Sequence, residues 1–368
     1  MKRTLIYLPG LLLILTLAWA CKKDDPGSER PDFDRAAMLE NYAVNVIRPA
    51  YEELLAATNT LSGRWTEFVA APDTDKLAAL QDQWLSTAIA WQAANGFNFG
   101  PAGEEGLRKG LIEEIGTFPV NTDKIENFIS AGDATLNNFD RDSRGILAIE
   151  YLLFGHSGNT QDVLQALEDD NRRIYLAALI DHLYGEVDRV ATAWETYQTE
   201  FIANDGTDVG SGTSQLYNEF VRSYEAAKNF KVGLPAGKRA GQTQAEPQLV
   251  EAYYSGRSLD LLQAHLASID RIYYGKGLNG GDGAGFHEYL QAVEGGPTLI
   301  ASTEAQWAAV EQALAKVPAT PAFSELAAQD DPAVDALHTE MQKQIRFFKS
   351  DMSSLLGIAI TFNSGDGD

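Results

Sequence analysis

DDNRRIYLAALIDHLYGEVDRVATAWETYQTEFIA, residues 169–203, is the longest periodic segment of the chain and decides its fold class. Apolar side chains recur in it at helical spacing with charged residues between them, the pattern of a helix that buries one face. The same spacing extends outward in both directions. Upstream lie MLENYAVNVIRPAYEELLAATNTLSGRWTEFVA (38–70), where Pro49 predicts a kink or break, and APDTDKLAALQDQWLSTAIAWQAANGF (71–97), which opens on a proline and a capping-type Asp or Thr. TDKIENFISAG (122–132) and SRGILAIEYLLFG (143–155) read as shorter helices closed by glycine. Downstream, NDGTDVGSGTSQ (204–215) is rich in Gly, Thr, Asp and Ser and is read as a linker between domains. Four further helical segments follow, beginning LYNEFVRSYEAAKNFKVG, SLDLLQAHLASIDRIYYG, FHEYLQAVEGG and PAVDALHTEMQKQIRFFK. No region alternates in the manner of a strand. The expectation is an all-α chain of two helical bundles, 33–203 and 216–368, with any functional site near their interface.

The sequence sets 52 acids against 29 bases, a net charge of −23, which opposes phosphate backbones and argues against a nucleic-acid partner. With 45% hydrophobic residues the chain can bury a substantial core. Residues 1–20 carry Lys2 and Arg3 before a short apolar run, LLLILTLAWA, the form of a signal peptide. LAWAC is similar to a lipobox, although Ala18 stands where leucine is more usual, and Cys21 is the only cysteine. We expect Cys21 to be lipidated and CKKDDPGSERPD (21–32) to form a flexible tether, so that the protein is anchored to a membrane and holds its fold without disulfides. CKKDD also resembles the acidic export tag of surface-displayed lipoproteins. The expected location is the outer membrane of a Gram-negative bacterium, facing periplasm or cell surface.

The chemistry of interest centres on DSRGILAIEYLLFGHSG (142–158), where Glu150 is the one acid in an apolar run from Ile146 to Phe154. A buried carboxylate must be paired, hydrogen-bonded, metal-bound or protonated. Gly145-Ile-Leu-Ala-Ile-Glu150 is echoed by Gly285-Phe-His-Glu-Tyr-Leu290, each a glycine opening a short helix. The second copy offers His287 and Glu288. If the two helices faced one another, Glu150 and His287 would share an interface and a cation. The candidate pocket residues are therefore Gly145, Glu150, His287 and Glu288, with Glu150 and His287 as metal ligands. The five histidines include no pair at i and i+4, the usual helical zinc arrangement. GKGLNG (275–280), NSGDGD (363–368) and NDGTDVGSG (204–212) lack the context of a dinucleotide or calcium loop.

Taken together, WQAANGFNFGP (91–101), RGILAIEYLLFG (144–155), KVGLPAGKRAG (231–241), EAYYSGRSLDLL (251–262), GAGFHEYL (283–290) and LGIAITFNSGDGD (356–368) resemble the imelysin family, also called peptidase family M75, in the family's own order. The resemblance implies two helical bundles with a site near their interface, a signal peptide, frequent association with iron uptake and, for some members, metallopeptidase activity. The family motif Gly-x-His-x-x-Glu reads here as Gly145-x-Leu147-x-x-Glu150, without its histidine. Ile89, Gln92 and Asn95 stand where the family tends to carry charged residues. The expected function is a non-catalytic binding component linked to iron or haem uptake, with iron-uptake proteins as partners and a divalent or iron cation at a reduced site. A metallopeptidase and a scaffold lipoprotein that has lost its site are the alternatives, and loss of the motif histidine leans against an enzyme.

Overall fold

The structure, a computed structural model, describes residues 33–362 apart from 138 and 156. The signal segment, Cys21, the tether, His156 and NSGDGD lie outside the described residues. Within them the chain is helical, and its extended pairing is an isolated bridge between Glu105 and Arg108.

Helix α1 (Arg35–Asn41), capped by the Asp34 carboxylate, passes through a π-helical segment, Tyr42–Ile47, into α2 (Arg48–Ala70). Pro49 neither breaks nor ends this helix. It lacks the N–H an α-helix would direct four residues back, and the widened turn lies immediately upstream, where the Arg48 N–H reaches back to the Ala43 carbonyl. Helix α3 (Thr74–Ala94) starts at Asp73, whose carboxylate accepts from the Lys76 N–H at 2.8 Å. It packs along α2, bringing Leu77, Leu80 and Trp84 into one core with Leu54, Leu61, Trp65 and Phe68. Three short helices follow: α4 (Leu111–Ile115), α5 (Thr122–Ala131) and α6 (Ile146–Phe154), the last beginning three residues later than the sequence pattern suggests. After α7 (Thr160–Ala166) comes α8 (Asp170–Ala203), the helix of the opening stretch. Its buried Leu179, Leu183, Val187, Val190 and Trp194 recur every three or four residues, and this stripe lies against α2.

The loop after α8 is shorter than the linker expected at 204–215. Ser211 caps α9 (Gly212–Ala226), and the Gly212 N–H donates to the Asn204 carbonyl at 2.8 Å, so the last four residues of that stretch are already helical. Helix α9 widens into a second π segment, Ala227–Gly233. Then come α10 (Ser258–Tyr274), α11 (Phe286–Gln291), α12 (Gly296–Leu314), α13 (Phe323–Ala328) and α14 (Pro332–Arg346). A third π segment, Phe347–Met352, leads to α15 (Ser353–Leu356). Phe220, Phe286, Phe348, Tyr217 and Tyr224 form the aromatic core of this half, with edge and tilted ring contacts. Helices α3 and α10 pack together, and residues 34–368 form one compact unit. That α3–α10 seam positions the site.

Candidate functional site

Glu150 sits on α6, a helix buried along nearly its whole length. Gly145 fixes where α6 begins. Its φ is +85°, and a Cβ there would collide with the Ile115 carbonyl at the end of α4. Arg144, just before it, turns away to the buried Glu114 carboxylate at 2.6 Å. The Glu150 side chain is 1% exposed, and its Oε1 accepts from both the amide and the hydroxyl of Ser255, each at 2.7 Å. Its pKa is raised to about 7, chiefly by burial and to a lesser extent by Glu251, with the Ser255 donors counteracting in part. An oxygen that receives an N–H and an O–H is held in place by the protein's own donors. Leu147, at the motif's histidine position, lines the same small cavity of about 40 Å³.

His287 is placed elsewhere. Its Nδ1 lies 2.7 Å from Glu288, its Nε2 lies 3.6 Å from Glu304, and its ring meets Tyr273 and Tyr274. Glu288 also accepts from the Gly285 N–H at 2.8 Å, so it caps the helix that carries it. No hydrogen bond or ion pair joins Glu150 to His287 among the described residues. Nor do three or more His, Cys, Asp or Glu side chains converge there as a metal ion would require. Glu150 and His287 thus take their hydrogen-bond partners from different neighbours.

The groups that do converge lie beside Glu150, on the α3–α10 seam. Lys231 in the second π segment is buried, and its Nζ lies 2.7 Å from Glu251 Oε2 and 2.6 Å from Gln92 Oε1. Gln92 Nε2 donates to Glu251 Oε1 at 3.1 Å, which closes a ring of three side chains. Asn95 donates to Gln92 at 3.0 Å. Ser223 Oγ bridges Asn95 to His265, lying 2.7 Å from Nε2, while His265 Nδ1 has no hydrogen-bond partner. Desolvation drives the pKa of Lys231 down against the pull of Glu251, and drives that of His265 well down, so the imidazole is neutral. An ion pair this deep persists because each charge has a partner and a hydrogen-bonded neighbour. Ala252, between Glu251 and the Ser255 turn, has φ +56°, a left-handed conformation unusual for a side chain with a Cβ. Through that turn, one five-residue stretch meets Lys231 at one end and Glu150 at the other.

This network forms one wall of a cavity of about 360 Å³. Trp91, Phe118 and Phe230 supply apolar surface, and Glu219 borders it with a pKa that burial raises to about 7. The volume lies within the range of small-molecule sites, and the mixture of apolar wall with a few converging polar groups is their usual composition.

Sequence reasoning singled out Gln92 and Asn95 only as replacements for charge, and missed Lys231, Glu251, Glu219 and His265. Signals were present. Lys231 and Glu251 each open one of the quoted family-like stretches, and His265 stands on the apolar stripe of α10 beside Leu261, Leu262 and Leu266.

The fold and this interface site define an all-helical protein with a cavity between its two halves. The imelysin (peptidase M75) profile matches residues 47–350, and the chain belongs to that family. It is 23% identical over 291 residues to iron-regulated protein A of Synechococcus elongatus, covering 76% of this chain and 75% of the relative. Two solved structures share the fold at a TM-score of 0.71. One is an imelysin-like protein from Psychrobacter arcticum, 21% identical, covering 90% of this chain and 99% of that one. The other is an iron-regulated protein A precursor from Parabacteroides distasonis, 16% identical, covering 89% and 97%.

Proposed function

We propose that the protein is a non-catalytic binding component of the cell envelope that serves iron acquisition, anchored through lipid on Cys21 and facing periplasm or cell surface beside iron-uptake partners. The observation that carries the binding role is the cavity of about 360 Å³ lined by the buried Lys231–Glu251 pair, which Gln92 braces from behind, and by His265. The iron link is supported by the names of the relatives in Synechococcus and Parabacteroides. The donor set is not that of a bare ion. The apolar walls and the neutral His265 suit an organic molecule, such as the organic shell of a chelated ferric ion, with His265 Nδ1 free to accept a hydrogen bond.

Tryptophan fluorescence of the purified protein, titrated separately with haemin, a ferric hydroxamate and ferric citrate, tests this. A saturable 1:1 response to one of them, lost in His265→Ala and Glu251→Gln, is expected. No response to any, or a response unchanged in both variants, overturns the binding role. Chelator-sensitive cleavage of an unfolded protein substrate by the parent would overturn the non-catalytic reading. Labelling of Cys21 with radioactive palmitate, and its loss in Cys21→Ser, checks the anchor.

A further inference from the structure

Six ionisable side chains line the cavity beside Lys231: Glu113, Glu219, Glu251, Arg222, Lys231 and His265. Two ion pairs take up four of them, Lys231 with Glu251 at 2.7 Å and Arg222 with Glu219 at 3.1 Å. Glu113, on α4, is left over. Its Oε2 is closed off from solvent and has no hydrogen-bond partner among the described residues. A carboxylate oxygen deprived of both water and a donor is costly, and a donor brought by a ligand would remove that cost. Glu219 feels the same excess of acid. Burial, opposed by Arg222 and reinforced by Glu113, raises its pKa to about 7.

His265, on α10, supplies a second orphaned acceptor, and the charges at the far end of its network fix its tautomer. Glu251 can only accept and Lys231 can only donate, so Gln92 turns its Nε2 to the first and its Oε1 to the second. Asn95 Nδ2 then donates to Gln92 Oε1, which leaves Asn95 Oδ1 to accept from the Ser223 hydroxyl at 3.4 Å. With its proton so directed, Ser223 Oγ accepts from His265 Nε2–H at 2.7 Å. In the neutral ring Nδ1 is therefore a bare acceptor. It sits on a side chain that is 2% exposed, and it has no partner among the described residues. The rest of the wall is largely apolar, and the half-buried Phe230 carries that surface out to solvent.

We propose that this cavity takes an organic cation, a primary ammonium on an apolar stem. Glu113 meets the charge, His265 Nδ1 accepts a hydrogen bond from the ligand, and the stem lies along Trp91, Phe118 and Phe230. The proposal rests on the binding role assigned to this cavity above and adds the sign of the ligand's charge. A ligand that presented a carboxylate to the same place would face Glu113 and Glu219 instead.

Calorimetric titration of the purified protein at about pH 8 with two chelates provides the test. One is ferrioxamine B, a ferric trihydroxamate with a single primary ammonium on a pentyl stem; the other is its N-acetyl derivative. The two share chelate and stem and differ by one charge. Ferrioxamine B should bind 1:1, about tenfold or more tighter than the acetylated form, a comparison that needs no variant. In Glu113→Gln that advantage should fall to about threefold or less. Glu113 is only partly buried and the change is isosteric, so the variant should keep the parent's melting curve. Equal or tighter binding of the acetylated form, or an undiminished advantage in Glu113→Gln, would overturn the proposal and leave the binding role standing. Failure of both chelates to bind would overturn it too, and would take the binding role with it only where haemin and ferric citrate also give no response.

Discussion

Helices α6 and α11 open in the same way and end in opposite surroundings. Each follows a glycine pressed against backbone, Gly145 against the Ile115 carbonyl and Gly285 against the Gly275 amide. Beyond that start, α6 is enclosed and its acid is held by Ser255, 105 residues away in sequence. Helix α11 keeps one side accessible, and His287 is held by Glu288, its neighbour in sequence, and by Glu304. The same local device therefore presents a desolvated carboxyl in one half and a partly solvated imidazole beside carboxylates in the other. The glycine sets only how closely a helix start approaches the preceding chain. What packs around the helix sets the chemistry of the side chain it presents.

Four substitutions sharpen or break this comparison. Gly145→Ala should have the largest effect, because it adds a backbone collision to a φ of +85°, and about 3 kcal/mol or more of stability is expected to go. Gly285→Ala meets a backbone collision alone, at a φ of −124°, and should cost less, about 1–3 kcal/mol. Urea denaturation of both variants orders them; a costlier Gly285→Ala would sink the account of why α6 needs its glycine.

The second prediction is a pH dependence. Glu150 binds its proton more tightly folded, with a pKa of about 7, than unfolded, where a glutamate titrates at its ordinary 4.5. Its contribution is therefore most favourable below pH 4.5, declines as pH rises toward 7, and is level above that. Glu150→Gln keeps an oxygen for Ser255 and removes the ionisation, so it should be about 2–3 kcal/mol more stable than the parent at pH 8 and close to it at pH 4. Glu219 adds a decline of the same sign, and the buried neutral His265 and His338 act oppositely below pH 6.5. All three are common to both proteins, so the difference between their melting curves isolates Glu150. A gap that stays constant from pH 4 to pH 8 would refute the desolvated carboxyl.

The smallest effect belongs to His287→Ala. Its contacts with Glu288 and Glu304 are partly solvated, and contacts of that kind contribute about 0–1 kcal/mol. A loss well above that in urea denaturation would mean that α11 presents a site as tightly built as that of α6.

The sequence was a good guide to the helices and a partial one to the site. Periodicity located α5 and α8 closely, since Gly132 ends one and Asp169 caps the other through contacts within a few residues. It read a kink at Pro49 where a π turn lies upstream, because the choice between breaking and widening depends on what packs against the helix. It identified Glu150 as an acid under constraint but not its Ser255 donors, since the echo with α11 gives similarity of form and no distance. Gln92 and Asn95 looked like lost charge. In three dimensions they bracket a charge that arrives from Lys231 and Glu251.

By itself, then, the sequence determined the all-helical class, the family and one of the acids that burial would constrain. Helix periodicity and capping act between residues a few positions apart, so they are written locally. Only the tertiary structure decided that Glu150 faces Ser255 and that Lys231, Glu251 and Gln92 close a ring. Desolvation and Coulomb interaction act through space, over distances that separation along the chain does not fix.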